Sequence, residues 1–363
     1  MKENKLNLAG LTYNEIKKLL NILEEKDFHA KQIIEQIHKK KKEKIDDIKC
    51  ISKKTKDKLK EISIIKTLKI KDEKIAKDNT IKWLIEIDEK NFIETVAIPN
   101  KKQHFTLCVS SQIGCISNCK FCYTAKQGFS RNLKSEEIIS QLFEAEKRID
   151  LLFKKKNKIT NIVMMGMGEP LLNSDNVLSF IELASNQYAY NISKKKITIS
   201  TCGIIPEIKK IKKYKIPLAI SLHAPSSKLR SSIMPINKKY DLKDLLDVCK
   251  EYNPKKKITF EYILLKGINE SINHANELIK ILKGIKCKIC LIPFNNFPGS
   301  NYETPNYESI IKFKNTLKNS GMIVNIREKK GDEINAACGQ LSGIVQDKTK
   351  RNKKFIEQIK QQS

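Results

Sequence analysis

The sequence predicts an α/β protein in which a run of parallel βαβ units follows a small helical N-terminal unit and a β-hairpin. Three observations carry this prediction. Apolar residues recur at helical spacing through the first 65 or so positions, then alternate with polar ones over 81–98. From about residue 105 short apolar runs alternate with longer amphipathic stretches. The chain has 363 residues, 40% hydrophobic and 31% charged, enough to bury one large core and an accessory one.

In chain order, Thr12-Tyr13-Asn14-Glu15 is a capping box before Ile16, Leu19, Leu20, Ile22 and Leu23. A second helix is expected over His29–Lys39 and a third after Ser52 as N-cap. The Lys39–Lys42 run and the lysines at 53–60 make this unit basic, as solvated faces or as phosphate contacts. Ile81, Trp83, Ile85 and Ile87 form a strand, FIETVAI at 92–98 its partner, and residues 89–91 the turn. Further strands are predicted at 105–110, 159–165, 196–201, 217–222, 257–264 and 287–293, with a short one near 322–327. Helices are predicted at 135–149, 175–190, 205–214, 242–252, 269–283 and 306–319. This alternation suits either a doubly wound sheet or a full or partial barrel. The expected divisions are a basic helical RNA-binding unit at 1–75, a hairpin linker at 76–104, a core at 105–345 and a basic tail at 346–363.

A net charge of +29 points to a polyanionic partner, most simply nucleic acid, although lysine is used heavily throughout. No apolar run reaches membrane-spanning length and the first twenty residues contain no signal-peptide core, so a cytoplasmic protein without membrane contact is expected. Ten cysteines in such a chain favour metal binding or thiol chemistry over disulfides.

Cys115, Cys119 and Cys122 fall on the loop after the first strand of the βα series, where parallel α/β folds gather their sites. Structural zinc wants four protein ligands, whereas three thiolates leave one iron of a four-iron cluster open. The Cys-x3-Cys-x2-Cys spacing, with Phe121 before the third cysteine, resembles the radical S-adenosylmethionine superfamily. The resemblance implies a partial (βα)6 barrel, one [4Fe-4S] cluster on Cys115, Cys119 and Cys122, and S-adenosylmethionine on its open iron. Met164–Pro170 then resembles the element that holds the amino end of that cofactor, through Gly168 and Glu169.

CVSSQIGC, MGMGEPLLN, SLHAP, LIPFNNFPGSNYE and GDEINAACGQL together resemble the RlmN/Cfr family of RNA adenine methyltransferases, over roughly residues 90–345 and in the family's order. That resemblance implies C2 methylation of adenine 2503 in 23S ribosomal RNA and of adenine 37 in transfer RNAs, with two S-adenosylmethionine molecules consumed per methyl group. Cys338 would accept a methyl, a 5′-deoxyadenosyl radical would abstract hydrogen from it, and the resulting radical would add to the ring. Cys108 would resolve the covalent protein–RNA adduct, leaving a Cys108–Cys338 disulfide for an external reductant to reopen. The resemblance also implies an electron donor, Glu94 as proton acceptor, and cofactor contacts from Ser200, Ser221, Leu222, His223 and Asn295. Between Glu94 and Cys108 the chain has one residue more than the family spacing. A monomer is expected. Cys287 and Cys290 match no family ligand and are assigned to the core with Cys50, Cys202 and Cys249. The alternatives are a C8-methylating relative within the same family, a glycyl-radical activase, and a zinc-loop RNA-binding protein.

Overall fold

The computed structural model describes residues 5–49, 51–100, 104–154, 158–252 and 257–362. Cys50, assigned to the core from sequence, lies outside them. Thr12 starts the helix Tyr13–Ile22 with a reciprocal cap: its backbone N–H donates to the Glu15 carboxylate at 2.7 Å, and Glu15 N–H donates to its hydroxyl. Ser52 caps Lys53–Ile62 by accepting from Thr55 N–H. The helix begun at His29 is α-helical through Ile34 and widens into a π turn over Glu35–Lys39. Leu8, Ile16, Leu20, Ile33, Ile37 and Leu59 give this unit a core of its own. The unit rests on the large domain: the Ser135 hydroxyl donates to Gly10 O, Lys41 pairs with Glu146 at 2.7 Å, and His38 meets the Tyr190 hydroxyl.

Ten strands form one sheet, and their spatial order is their order in sequence, from Lys69–Ile75 to Val324–Ile326. The first four pair antiparallel, and the seven from Phe105–Cys108 onward run parallel. Laid flat, those seven would hold their outer members about 29 Å apart, at roughly 4.8 Å per step. Yet Cys108, ending the first, and Arg327, just after the last, line one cavity. The sheet therefore curls, and because its edge strands do not pair with each other it is an open, partial barrel.

Two expectations are corrected. Residues 69–75, placed in the helical unit, form the outer strand of the sheet. Lys69, Lys71, Asp72, Glu73 and Lys74 hide the strand signal, as charged residues do on edges that must not pair with another chain. The stretch 76–104 is no linker, because Ile81–Asp88 and Asn91–Pro99 join the hairpin to the barrel through the Val96–Cys108 and Ala97–Leu107 pairs.

Candidate active site

Every parallel strand delivers its carboxyl end to the same opening. The loop after Phe105–Cys108 carries Cys115, Cys119 and Cys122, and all three line a cleft of about 150 Å³ with Gly168, Glu169, Ser200, Ser221 and His223. Gly168 has φ +100°, and a Cβ there would stand 2.5 Å from Gln112 Cβ, so backbone borders the cleft directly. Glu169 is buried; its carboxylate accepts from Leu171 N–H and, at 2.7 Å, from Cys202 N–H. Burial pushes its pKa up against those bonds. His223 takes the left-handed backbone, φ +59°, and its Nδ1 accepts from Ile263 N–H, which leaves the ring proton on Nε2. Burial first, then Arg230 and Arg327, lower its pKa to about 3, so the ring is neutral.

Leu222 and Asn295 lie outside the lining of this cleft. The Leu222 side chain is wholly buried in the core, and its carbonyl accepts from Arg230 Nε. Asn295 lines a second cavity and donates to the Cys338 carbonyl at 3.1 Å. That cavity, about 370 Å³, is walled by Cys108, Met165, Phe294, Arg327 and Cys338; Met165, Arg327 and Cys338 also border the cleft, so the two spaces adjoin. Both thiols are free, and burial raises the pKa of Cys108. Glu94 lines neither space. Its carboxylate pairs with Lys82 at 2.8 Å and accepts from Ser342 N–H at 2.7 Å, while Lys82 also reaches Asn335 O. Glu94 thus anchors both flanks of the Cys338 loop, directly at Ser342 and through Lys82 at Asn335. Of the other cysteines assigned to the core, Cys249 and Cys290 are buried and Cys287 is half-buried, whereas Cys202 reaches the cleft wall against the Ser117 hydroxyl.

Sequence reasoning missed the groups that organise these residues. Arg327 donates to Cys338 Sγ at 2.7 Å and to Glu261 at 2.9 Å, and the Ser200 hydroxyl donates to the other Glu261 oxygen. Arg230, fully buried, donates to the carbonyls of Cys202, Ser221 and Leu222 and so ties two strand ends together. The tail is a strap more than a free end: Asp347 accepts from Phe129 N–H, Arg351 donates to Cys115 O, and Phe355 packs edge-on against Tyr123.

The cleft fits an iron–sulfur cluster. Its three thiols open on one shared space, and three cysteine ligands leave one iron of a four-iron cluster open. Burial raises their pKa, Cys115 to about 12, and coordination relieves that by binding them as thiolates.

This fold and this loop define a radical S-adenosylmethionine enzyme. The model of the radical SAM superfamily matches residues 109–279, and that of the ribosomal RNA large subunit methyltransferase N-terminal domain matches residues 6–65. A "Dual-specificity RNA methyltransferase RlmN" of Francisella tularensis subsp. novicida is 43% identical over 99% of this chain and 98% of its own length. The protein of that name from Pseudomonas fluorescens is 44% identical over 97% and 94%. A radical SAM methyltransferase from Sphaerobacter thermophilus, solved as a crystal structure, superposes with a TM-score of 0.86 at 33% identity, covering 93% of this chain and 99% of that one. The chain belongs to the RlmN family of radical SAM RNA methyltransferases. Among the described residues no helix is long and apolar enough to cross a membrane.

Proposed function

We propose that this protein methylates C2 of adenine 2503 in 23S ribosomal RNA and C2 of adenine 37 in transfer RNAs, through a methylated Cys338 and a covalent protein–RNA adduct. The observation that carries the reading is the single cavity shared by Cys108 and Cys338, adjoining the cleft of the three cysteines. About 370 Å³ is room for an unstacked base, and family membership makes RNA the substrate to expect.

Cys115, Cys119 and Cys122 would hold the [4Fe-4S] cluster, and Gly168, Glu169, Ser200, Ser221 and His223 would border S-adenosylmethionine. Bound there, the pair supplies a methyl group and one-electron chemistry. Cys338 offers the sulfur that takes the methyl, and Asn295 fixes its backbone from outside the cleft. The apolar wall, Val163, Met165, Ile292 and Phe294, keeps water from the base. Cys108 stands across the cavity to displace the finished product, and an external reductant reopens the resulting disulfide. The N-terminal unit would grip RNA backbone, in a cytoplasmic enzyme served by a cellular electron donor.

The test is mass spectrometry of nucleosides from 23S RNA and transfer RNA incubated anaerobically with enzyme, S-adenosylmethionine and reductant. Finding 2-methyladenosine supports the reading; 8-methyladenosine would move the protein to the C8 branch, and neither product would overturn RNA methylation.

A further inference from the structure

We propose that Lys329 and Lys330 form a phosphate clamp at the mouth of the substrate cavity, binding the RNA phosphodiesters that flank the target adenosine and holding that nucleotide out of its stack. This rests on the reading of the cavity as the place where an RNA base enters. The cavity of Cys108 and Cys338 has two ends. At one, Met165, Ile292, Arg327 and Cys338 are shared with the cysteine cleft. Glu328, Lys329 and Lys330 line only the other, and their side chains are 80%, 45% and 38% exposed, so that end opens to solvent. A base that enters there and reaches the two thiols leaves its sugar and both flanking phosphates at the lysines.

The segment that carries them is anchored on both sides. Arg327 N–H donates to Leu291 O at 2.8 Å, which ties the start of the segment to the neighbouring strand. Gly331 N–H donates to the Asp78 carboxylate at 3.2 Å, and Ala336 N–H donates to Gly331 O at 3.0 Å. The other Asp78 oxygen accepts from Thr80 N–H, which fixes that carboxylate. Gly331 has φ +60°, and a Cβ there would stand 2.7 Å from the Thr80 methyl, so the contact with the hairpin turn needs glycine. Lys329 and Lys330 therefore rise from a short stretch of backbone whose place at the rim is set before RNA arrives.

Both ammonium groups are available to phosphate. Lys329 meets Asp332 at 2.5 Å and Lys330 meets Glu328 at 3.8 Å, exposed pairs that contribute little in water and exchange readily for a phosphodiester. Lys82, by contrast, is committed, because its pair with Glu94 is buried. An ammonium with three donors on a flexible stem can follow a phosphate as the nucleotide turns inward. Unstacking a nucleotide costs free energy, and contacts made only by the extruded nucleotide offset that cost. Phosphate contacts carry no sequence information, so the two lysines are positioning residues.

The test is fluorescence anisotropy, under argon with cluster-loaded protein, of a labelled anticodon stem-loop bearing adenosine 37. Two versions are compared, natural RNA and RNA with neutral methylphosphonates on both sides of that adenosine. On natural RNA the double variant Lys329→Gln, Lys330→Gln should lower the slope of log affinity against log salt by about 1.4, at roughly 0.7 per phosphate. Its loss of affinity is then about sevenfold greater at 50 mM than at 200 mM salt. On methylphosphonate RNA the variant and the wild type should bind alike, because the charge that the lysines meet is gone. An unchanged slope on natural RNA would overturn the clamp. Equal losses on both RNAs would overturn it too, by placing the lysines on other phosphates. Formation of 2-methyladenosine by the wild type is read in parallel on the natural stem-loop. Product with an unchanged slope overturns the clamp alone, whereas the expected slopes without product support the clamp and overturn methylation of this RNA. No binding by the wild type would overturn both.

Discussion

Cys338 is held at both ends, its sulfur by Arg327 and its carbonyl by Asn295. Cys338→Ala removes one half-buried atom, a change costing about 1 kcal/mol or less. Methyl transfer to RNA should be abolished while iron and sulfide content stay at the wild-type level, and retained turnover would end the mechanism. Cys108→Ala should still form S-methyl-Cys338 and should accumulate a nuclease-sensitive protein–RNA adduct, visible as a gel-shifted band. A second residue-scale prediction concerns His38, buried at the seat of the N-terminal unit with Nε2 unpartnered in the described structure. Burial, and then nearby Lys41, lower its pKa to about 3 from an ordinary 6.5. A folded value below the unfolded one means that the unfolded chain binds the extra proton. Stability is therefore complete above about pH 6.5 and falls as pH drops toward 3. Between pH 7 and pH 5 the loss should approach 2 kcal/mol, at roughly 1.4 kcal/mol per unit below 6.5. His223 titrates with the same sign, so the His38 share is the difference between wild type and His38→Gln in urea unfolding at both pH values. Parallel pH dependence in the two would remove His38 from the account. These groups were only partly legible in the sequence. The cysteines stood out by spacing, whereas Arg327 and Arg230 did not, yet a signal existed: only five of the 70 basic residues are arginine. All five engage fixed acceptors: Arg131 and Arg148 clamp Glu137 and Glu73, Arg230 and Arg351 bind carbonyls, and Arg327 bridges Glu261 and Cys338. Where lysine serves for charge, arginine remains where a fork is needed.

Strands whose two faces are buried announced themselves, Ile258–Leu264 and Cys287–Pro293 within a residue of their predicted bounds. Elements whose signal is polar did not. The edge strand Lys69–Ile75 is charged, the helix Ser227–Ile233 is short and polar apart from its anchors, and the terminal strap depends on hydrogen bonds far apart in sequence. The strap is what closes the cluster loop from outside. Asp347 receives Phe129 N–H, Thr349 N–H and Asn352 N–H, which together outweigh the cost of its burial and lower its pKa to about 2. Gly128 is required beside it, because a Cβ there would meet the Asp347 carboxylate at 1.9 Å. Asp347→Ala should release Arg351–Gln362 without unfolding the barrel, costing about 1 kcal/mol at this partly exposed position. The readout is hydrogen exchange: faster exchange at Phe129 and at Asn352 with unchanged protection in Ile258–Leu264. Uniform loss of protection would mean that the strap and the barrel are one cooperative unit.

At the scale of the molecule the question is what a net charge of +29 is for. Residues 1–65 hold 17 lysines and 11 acidic residues, a net +6, which is close to their share of the length. The N-terminal unit is therefore no more basic than the rest, and RNA would meet charge across the barrel as well as across the accessory domain. Several lysines are already committed to ion pairs, Lys41 with Glu146 and Lys82 with Glu94 among them, and cannot also neutralise phosphate. If the free lysines contact phosphates, binding releases counterions and affinity falls linearly in the logarithm of salt, at roughly 0.7 per phosphate neutralised on a single strand. Six to ten such contacts would cost roughly 300-fold to 16,000-fold in affinity between 50 and 200 mM salt. Fluorescence anisotropy with labelled transfer RNA under argon measures the slope directly. Replacing Lys39, Lys40 and Lys42 by glutamine should lower it by about two if the Lys39–Lys42 run touches backbone. A steep slope that these replacements leave unchanged would shift the contact surface onto the barrel rim. A flat slope in the wild type would mean that base recognition inside the cavity supplies the affinity, and that the excess lysine serves solubility alone.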